Sequence, residues 1–253
     1  MTYGRTYGMT YGMTYDWKAA LAFVAVLVAA SVALKYLVFR VPAFAQMREI
    51  NHAVDKTKLE KAPFRDGVKA SSNAGLYTNL AFYLTILPFC ISFDARPLWR
   101  HAVEILAVLL VFDFMYYFTH RFLFHGTLLR KVHSLHHQSR KPTYVDALYV
   151  HPLETCIGLM LFLGSIPIVA AVSGVTLNVF SMVIATLIFT QLNTLNHVYT
   201  SLPARFPFSW VDYITGVHAA HHVDMSHGNF STLSMLYDKL FGTFEEPVHR
   251  PTA

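Results

Sequence analysis

Charge is scarce in this chain. Of its 253 residues only 14% are Asp, Glu, Lys or Arg, while 54% are hydrophobic and the mean hydropathy is +0.39. A water-soluble domain carries about 25% charged residues. The shortfall, gathered in long apolar runs, argues for a protein that lives in a bilayer. Cysteine is nearly missing as well: Cys90 and Cys156 both sit in apolar stretches and read as packing residues. That excludes a disulfide framework, a CxxC redox pair and a cysteine-held iron–sulfur cluster. There is no GxGxxG dinucleotide motif, no fused haem-domain signature and no HExxH of a zinc peptidase. The nearest string to the last, "HPLE" from His151, has the wrong order. The net charge of +5 is not arranged as a Lys/Arg stripe interleaved with aromatics, so nucleic acid is set aside as a partner. In a membrane chain such an excess reflects loop orientation and contact with anionic lipid.

What is present begins with a low-complexity leader. Residues 1–16 repeat a Thr-Tyr unit and read as a disordered tail. Residues 17–74 read as an N-terminal membrane anchor and a basic cytoplasmic segment, and residues 75–253 as a membrane catalytic domain. The apolar run from Trp17 to Phe39 is long enough to span. A signal peptide ending at "AFA", 43–45, is the competing reading. Further spans are expected from Leu76 to Phe93 (interrupted by Pro88), Ala102 to Thr119, Cys156 to Val172 and Val175 to Leu192. The expected class is therefore all-α integral membrane, with four to five transmembrane helices. Eight Lys/Arg lie between Lys35 and Lys69, and a second basic segment covers 121–141. Basic loops stay in the cytoplasm. Two spans separate these segments, so parity is satisfied and a histidine-rich cap faces the cytoplasm.

Histidine is the polar residue this apolar chain concentrates. "HSLHH" spans His133 to His137, and "HAAHH" repeats the spacing at His218 to His222. Positions three and four apart share a helix face. His133, His136 and His137, like His218, His221 and His222, can thus aim toward one region. His120 and His125 in "HRFLFH" are five apart, about 140° around an ideal helix. Either they serve different ions or the helix loosens there. His197 ends the fifth span. His52, His101 and His249 read as ordinary interfacial residues. Clustered imidazoles repel when protonated, whereas neutral imidazole is the commonest metal ligand. Nine histidines exceed the capacity of one ion, so two metals are expected. Imidazole suits iron, copper and zinc alike. Attack on an unactivated lipid C–H bond needs a redox metal, which favours iron.

The ordered set "HRFLFH", "HSLHH", "YVHPLE", "HAAHH" and "GNFSTLSMLYDKLFGT" resembles the fatty acid hydroxylase/sterol desaturase superfamily over about residues 75–246. The resemblance implies a membrane-bound non-haem di-iron oxygenase that hydroxylates or desaturates a lipid such as a fatty acyl chain or sterol. It would use O2 and an external electron donor of the cytochrome b5 type, or a ferredoxin with its reductase. It implies His120, His125, His133, His136, His137, His197, His218, His221 and His222 as metal ligands. One departure stands out. Several lipid hydroxylases of this family have HxxxH where this chain reads "NTLNH", placing Asn193 first. Asn193 could bind a metal directly or through water, or His151 or His227 could complete the set.

Metal-bound histidines usually donate their other N–H to a carboxylate or carbonyl. Asp113, inside an apolar span and seven residues before His120, is the first candidate. Asp146, Glu154 and Asp224 follow, with Asp238 read as a fold element. The aromatic run "FDFMYYF" at 112–118 reads as core or lipid-facing, with some members near a substrate channel. Rival classes are a membrane zinc-dependent hydrolase, a metal transporter and a bis-histidine haem protein. A transporter would place ligands in mid-span, not at span ends.

Overall fold

The computed structural model describes residues 14–139, 141–198 and 202–248. Most of the Thr-Tyr leader, and His249, lie outside the described residues. Helix α1 (Trp17–Val38) opens on Asp16, whose carboxylate accepts from Ala19 N at 2.9 Å and caps the first turn. Helices α2 (Pro42–Leu59) and α3 (Ala62–Thr85) each carry proline in the first turn, where no backbone donor is lost.

The apolar run expected to span from Leu76 to Phe93 behaves differently. Helix α3 starts well upstream of it, runs unbroken across residues 74 and 75, and stops at Thr85. Pro88 is the cause, since it has no N–H for the carbonyl of Leu84 and its ring crowds that turn. Tyr15 donates its hydroxyl to Leu84 O at 2.7 Å instead. The chain resumes as the one-turn helix α4 (Leu87–Cys90) and then a two-residue strand, β1 (Ile91–Ser92).

Helix α5 (Leu98–Phe118) continues directly into a π-helical turn, Thr119–Phe124. A loop with the short helix α6 (Arg130–His133) and two 3-10 turns, His136–Gln138 and Tyr144–Leu148, leads to α7 (Pro152–Ser173). Strand β2 (Leu177–Asn178) pairs in parallel with β1 and feeds α8 (Val179–Leu195). Helices α9 (Phe208–His221) and α10 (Leu236–Leu240) complete the described elements.

Three helical segments are long and apolar enough to cross a membrane: α1, α5 with its π turn, and α7; α8 is a shorter apolar helix. Helix α5 packs against α7 and α8, α1 against α8, and α3 against α7. Their shared interior is dry and aromatic. Phe162 and Phe189 stack at 4.1 Å, and Phe112 meets them edge-on at 5.7 and 5.0 Å. The outward residues are apolar too: Leu21, Val28, Val32 and Leu37 on α1, and Leu106 and Leu110 on α5, are exposed. Such a surface is unfavourable against water by about 25 cal/mol per Å2 and costs nothing against hydrocarbon. The chain is a helical membrane protein.

At the end of the bundle remote from the histidines, Glu104 ties the loops together. It pairs with Arg96 (Nε to Oε1, 3.2 Å) and accepts from Asn178 N at 3.0 Å. Both charged side chains are more than 90% buried. Removing one partner of a buried pair strands the other charge, at a cost of roughly 3–5 kcal/mol. Glu104→Ala is therefore expected to lower the unfolding midpoint of the detergent-solubilised protein sharply. Glu104→Gln, which retains an acceptor for Asn178, should lower it less. Equal midpoints for Glu104→Ala and the parent protein would refute this assignment.

Candidate metal centre

Nine histidines from four segments, 120–125, 133–137, 193–197 and 218–222, come together in two buried groups. His120, His125, His133, His137 and His221 form one; His136, His197, His218 and His222 form the other. Within each group the nearest ring nitrogens lie within 4.8 Å of one another. His52, His101, His151 and His227 belong to neither group.

Local backbone structure explains the partition. In the π-helical turn, His125 N donates to His120 O at 2.9 Å, a bond five residues long in place of four. The widened turn brings residues five apart to one face, and the two rings meet with centroids 4.9 Å apart. The angular mismatch of an ideal helix is thereby removed, and both rings serve the same group. In "HSLHH", α6 ends at His133 and a 3-10 turn begins at His136. His133 and His137 face the first group while His136 turns to the second. On α9, His218 and His222 are one helical turn apart and share the second group, and His221 points to the first.

Four of the five outer ring nitrogens of the first group are held by acceptors, while Nδ1 of His137 is buried without a partner among the described residues. Nδ1 of His120 donates to Phe230 O (2.7 Å), that of His125 to Met225 O (3.0 Å), and that of His221 to Gly228 O (2.6 Å). Nδ1 of His133 donates to Glu154 Oε1 at 2.8 Å. Because a backbone carbonyl only accepts, these contacts put the proton on Nδ1 and leave Nε2 a bare lone pair. In the second group, Nδ1 of His197 donates to Asn193 O at 2.9 Å. Nδ1 of His136, His218 and His222 is buried without a protein partner.

The Nε2 atoms face inward and crowd. His120 and His133 stand 3.0 Å apart, His133 and His137 3.0 Å, and His137 and His221 3.1 Å. In the second group the separations are 3.2 Å for His136–His197, 3.3 Å for His197–His218 and 3.2 Å for His218–His222. His125 Nε2 is buried with no partner at all. Two lone pairs at 3.0 Å, as in His120–His133, repel unless a cation sits between them. A proton is a poor candidate. Burial, reinforced by neighbouring imidazoles, holds His133, His136, His218, His221 and His222 well below the usual histidine range. Burial likewise pushes His137 down to about 3. A metal ion fits the donor set. Nitrogens at 2.0–2.1 Å from a shared ion lie roughly 2.9–3.4 Å from one another, depending on geometry, which is the spacing seen. The cluster is thus able to bind metal.

The remaining residues singled out from the sequence are placed as follows. Glu154 bonds a histidine of the first group, His133. Asp113 bonds no histidine; it accepts from Thr232 N, Leu233 N and Ser234 Oγ and anchors the C-terminal segment to α5. Asp146 closes a capping box with Thr143 and pairs with Lys58. Asp224 holds Ser226 in an exposed turn. His151 caps α7 through Leu153 N, and His227 pairs with Glu245. Asn193 contributes its carbonyl to His197 and lines the cavity described next.

Sequence reasoning did not find the carbonyl scaffold of 225–230. Gly228 is required there, since a Cβ would lie 2.0 Å from Thr243 O. Asn229, at φ 58°, bonds Val217 O and Glu245 through its side chain. Asp238 accepts from Phe230 N and Ser231 N. Only the likeness of "GNFSTLSMLYDKLFGT" to a family motif signalled this, because any residue can offer a carbonyl.

A cavity of about 440 Å3 abuts the second group, reaching His136, His197 and His218. Phe112 and Tyr116 from the aromatic run line it, together with residues of α3 and α7.

Comparison with known proteins agrees with this picture. The family model described as fatty acid hydroxylase matches residues 105–243, more than half the chain. Protein CER1-like 2 of Arabidopsis thaliana is 29% identical over 180 residues, 68% of this chain and 29% of that protein. Methylsterol monooxygenase 1 of Rattus norvegicus is 30% identical over 155 residues, 59% and 50% of the two chains. Very-long-chain aldehyde decarbonylase CER1 of Arabidopsis thaliana is 27% identical over 184 residues, 68% and 28%. The chain spans half or less of the length of these relatives. No solved structure matches. With the family model covering all nine clustered histidines and their carbonyl scaffold, the chain belongs to the fatty acid hydroxylase family.

Proposed function

We propose that this protein is a membrane-bound di-iron oxygenase that hydroxylates or desaturates a C–H bond of a lipid, such as a fatty acyl chain or sterol. The observation that carries the reading is the pair of buried groups whose Nε2 atoms converge at 3.0–3.3 Å. His120, His125, His133, His137 and His221 would hold one iron, and His136, His197, His218 and His222 the other. Bound iron supplies the redox capacity to activate O2 against an unactivated C–H bond. The names of the similar proteins, a methylsterol monooxygenase and an aldehyde decarbonylase, support lipid chemistry.

The chain's own residues set up the reaction. Glu154 and the carbonyls of Met225, Gly228 and Phe230 hold protons on Nδ1, so that Nε2 stays available as a ligand atom. Phe112, Tyr116 and Phe189 wall the cavity, exclude water and position a carbon beside the second group. Reducing equivalents come from an external donor of the cytochrome b5 or ferredoxin type. The centre lies on the cytoplasmic side, as the basic segments 35–69 and 121–141 favour.

Two outcomes are expected. Replacing Glu154 by Ala should weaken metal binding by about 10–100-fold, read by competition with a chromogenic chelator, with Glu154→Gln affected less. Unchanged affinity in Glu154→Ala would remove the carboxylate from the account. Secondly, lipids of cells expressing the chain should gain the mass of one oxygen atom or lose that of two hydrogens. The change should depend on O2 and iron and vanish on chelation. Turnover by an anaerobic, zinc-only enzyme would instead identify a hydrolase.

A further inference from the structure

The cavity beside the second group has a definite depth and a definite side. Its inner wall includes Phe112 and Phe189, buttressed by Phe162. Phe112 precedes His120, and Phe189 precedes His197, by eight residues each. At 1.5 Å per residue the cavity runs about 12 Å from the histidines toward the bilayer interior. Its outer lining comes from α3 (Ser72, Leu76) and the 3-10 turn (Leu148), all three exposed. On one side of that mouth the surface of α3 is apolar, with Leu76, Leu80 and Leu84 46–64% exposed, and on the other Ser72 and Asn73 are exposed. The leucine side of the mouth suits the entry of an apolar occupant.

The width is set by how closely α3 and α7 approach. Ser71 Oγ and Thr155 Oγ1 are bonded at 2.7 Å, and Thr78 Oγ1 donates to Cys156 Sγ at 3.4 Å. A Cβ at Gly75 would already touch Leu159 at 3.4 Å. The opposite condition holds at Gly158, which lines the same cavity but whose Cβ would meet nothing within 4 Å. The free space over Gly158 is therefore cavity space, and a side chain there would fill the cavity without displacing the core.

We propose that Gly158 is a specificity-determining position: its missing side chain leaves a slot in the cavity wall on α7, ending at Phe112 and Phe189. The slot admits an unbranched alkyl segment of limited length beyond the reacting carbon and rejects a fused ring system. This rests on the lipid-oxidising reading above and adds that α3, outside the family-matched segment, forms part of the selecting wall.

The test uses the full chain, zinc-loaded to prevent turnover, in phosphatidylcholine nanodiscs. A photoreactive diazirine stearate is the probe and a diazirine cholesterol the comparison. Stearate adducts are expected on peptides covering 71–79 and 155–159, with cholesterol adducts there at background. One methylene changes the fit of an apolar pocket by about 10–200-fold. Gly158→Leu should accordingly cut stearate labelling at least tenfold while the metal content stays that of the parent, and Gly158→Ala should cut it less. Should Gly158→Leu fold poorly, Ser72→Trp at the exposed mouth gives the same readout. Undiminished labelling in a metal-replete Gly158→Leu or Ser72→Trp, or cholesterol labelling equal to stearate, overturns the proposal. If the stearate is labelled but never oxidised by the iron-loaded, reduced protein, the oxygenase reading fails and the slot stands.

Discussion

Electrostatic repulsion between buried lone pairs governs this structure. His120 and His133 each carry their proton on the outer nitrogen, and their bare Nε2 atoms are 3.0 Å apart in the protein interior. Neutral rings in that arrangement repel, and burial opposes protonating them. A positive ion between them turns the conflict into attraction. The proposed metal centre would thus relieve an electrostatic conflict built into the histidine groups as well as serve catalysis.

Each part of the fold serves that requirement differently. The apolar helices bring His120 and His197 to one end of the bundle, where they meet the loop histidines and α9. The segment 225–230 contributes no ligand candidate to either group. Its carbonyls fix three tautomers, and it is itself held by Asp113 through 232–234 and by Asp238 through 230–231. The loop between His137 and α7 is clamped from outside the family-matched segment. Lys58 on α2 reaches Thr143 Oγ1 at 3.1 Å and pairs with Asp146. Helix α2 therefore clamps the loop beside the histidine groups.

Much of this was legible from spacing. Apolar runs located α1, α5, α7 and α8, and the three-and-four spacing of "HSLHH" and "HAAHH" picked out rings that do converge. The allotment of rings between groups was not legible, because it depends on where helices change type. A π turn unites His120 with His125, and the change from α6 to a 3-10 turn separates His136 from its neighbours. The extent of α3 was misjudged for a related reason: the apolar pattern begins near Leu76, but the helix starts upstream in polar sequence and is ended by Pro88. Asp113 resembled a histidine partner by helical phase, yet the segment before α10 offers it the backbone amides of Thr232 and Leu233. A carboxylate in an apolar span needs donors, and sequence does not say whose.

The most direct measurement is iron K-edge X-ray absorption on the full chain, combined with metal analysis. The account predicts two iron ions per chain, each with a nitrogen-dominated shell and the outer-shell scattering of several imidazoles. One ion per chain, or a shell dominated by sulfur or oxygen without imidazole scattering, would contradict it.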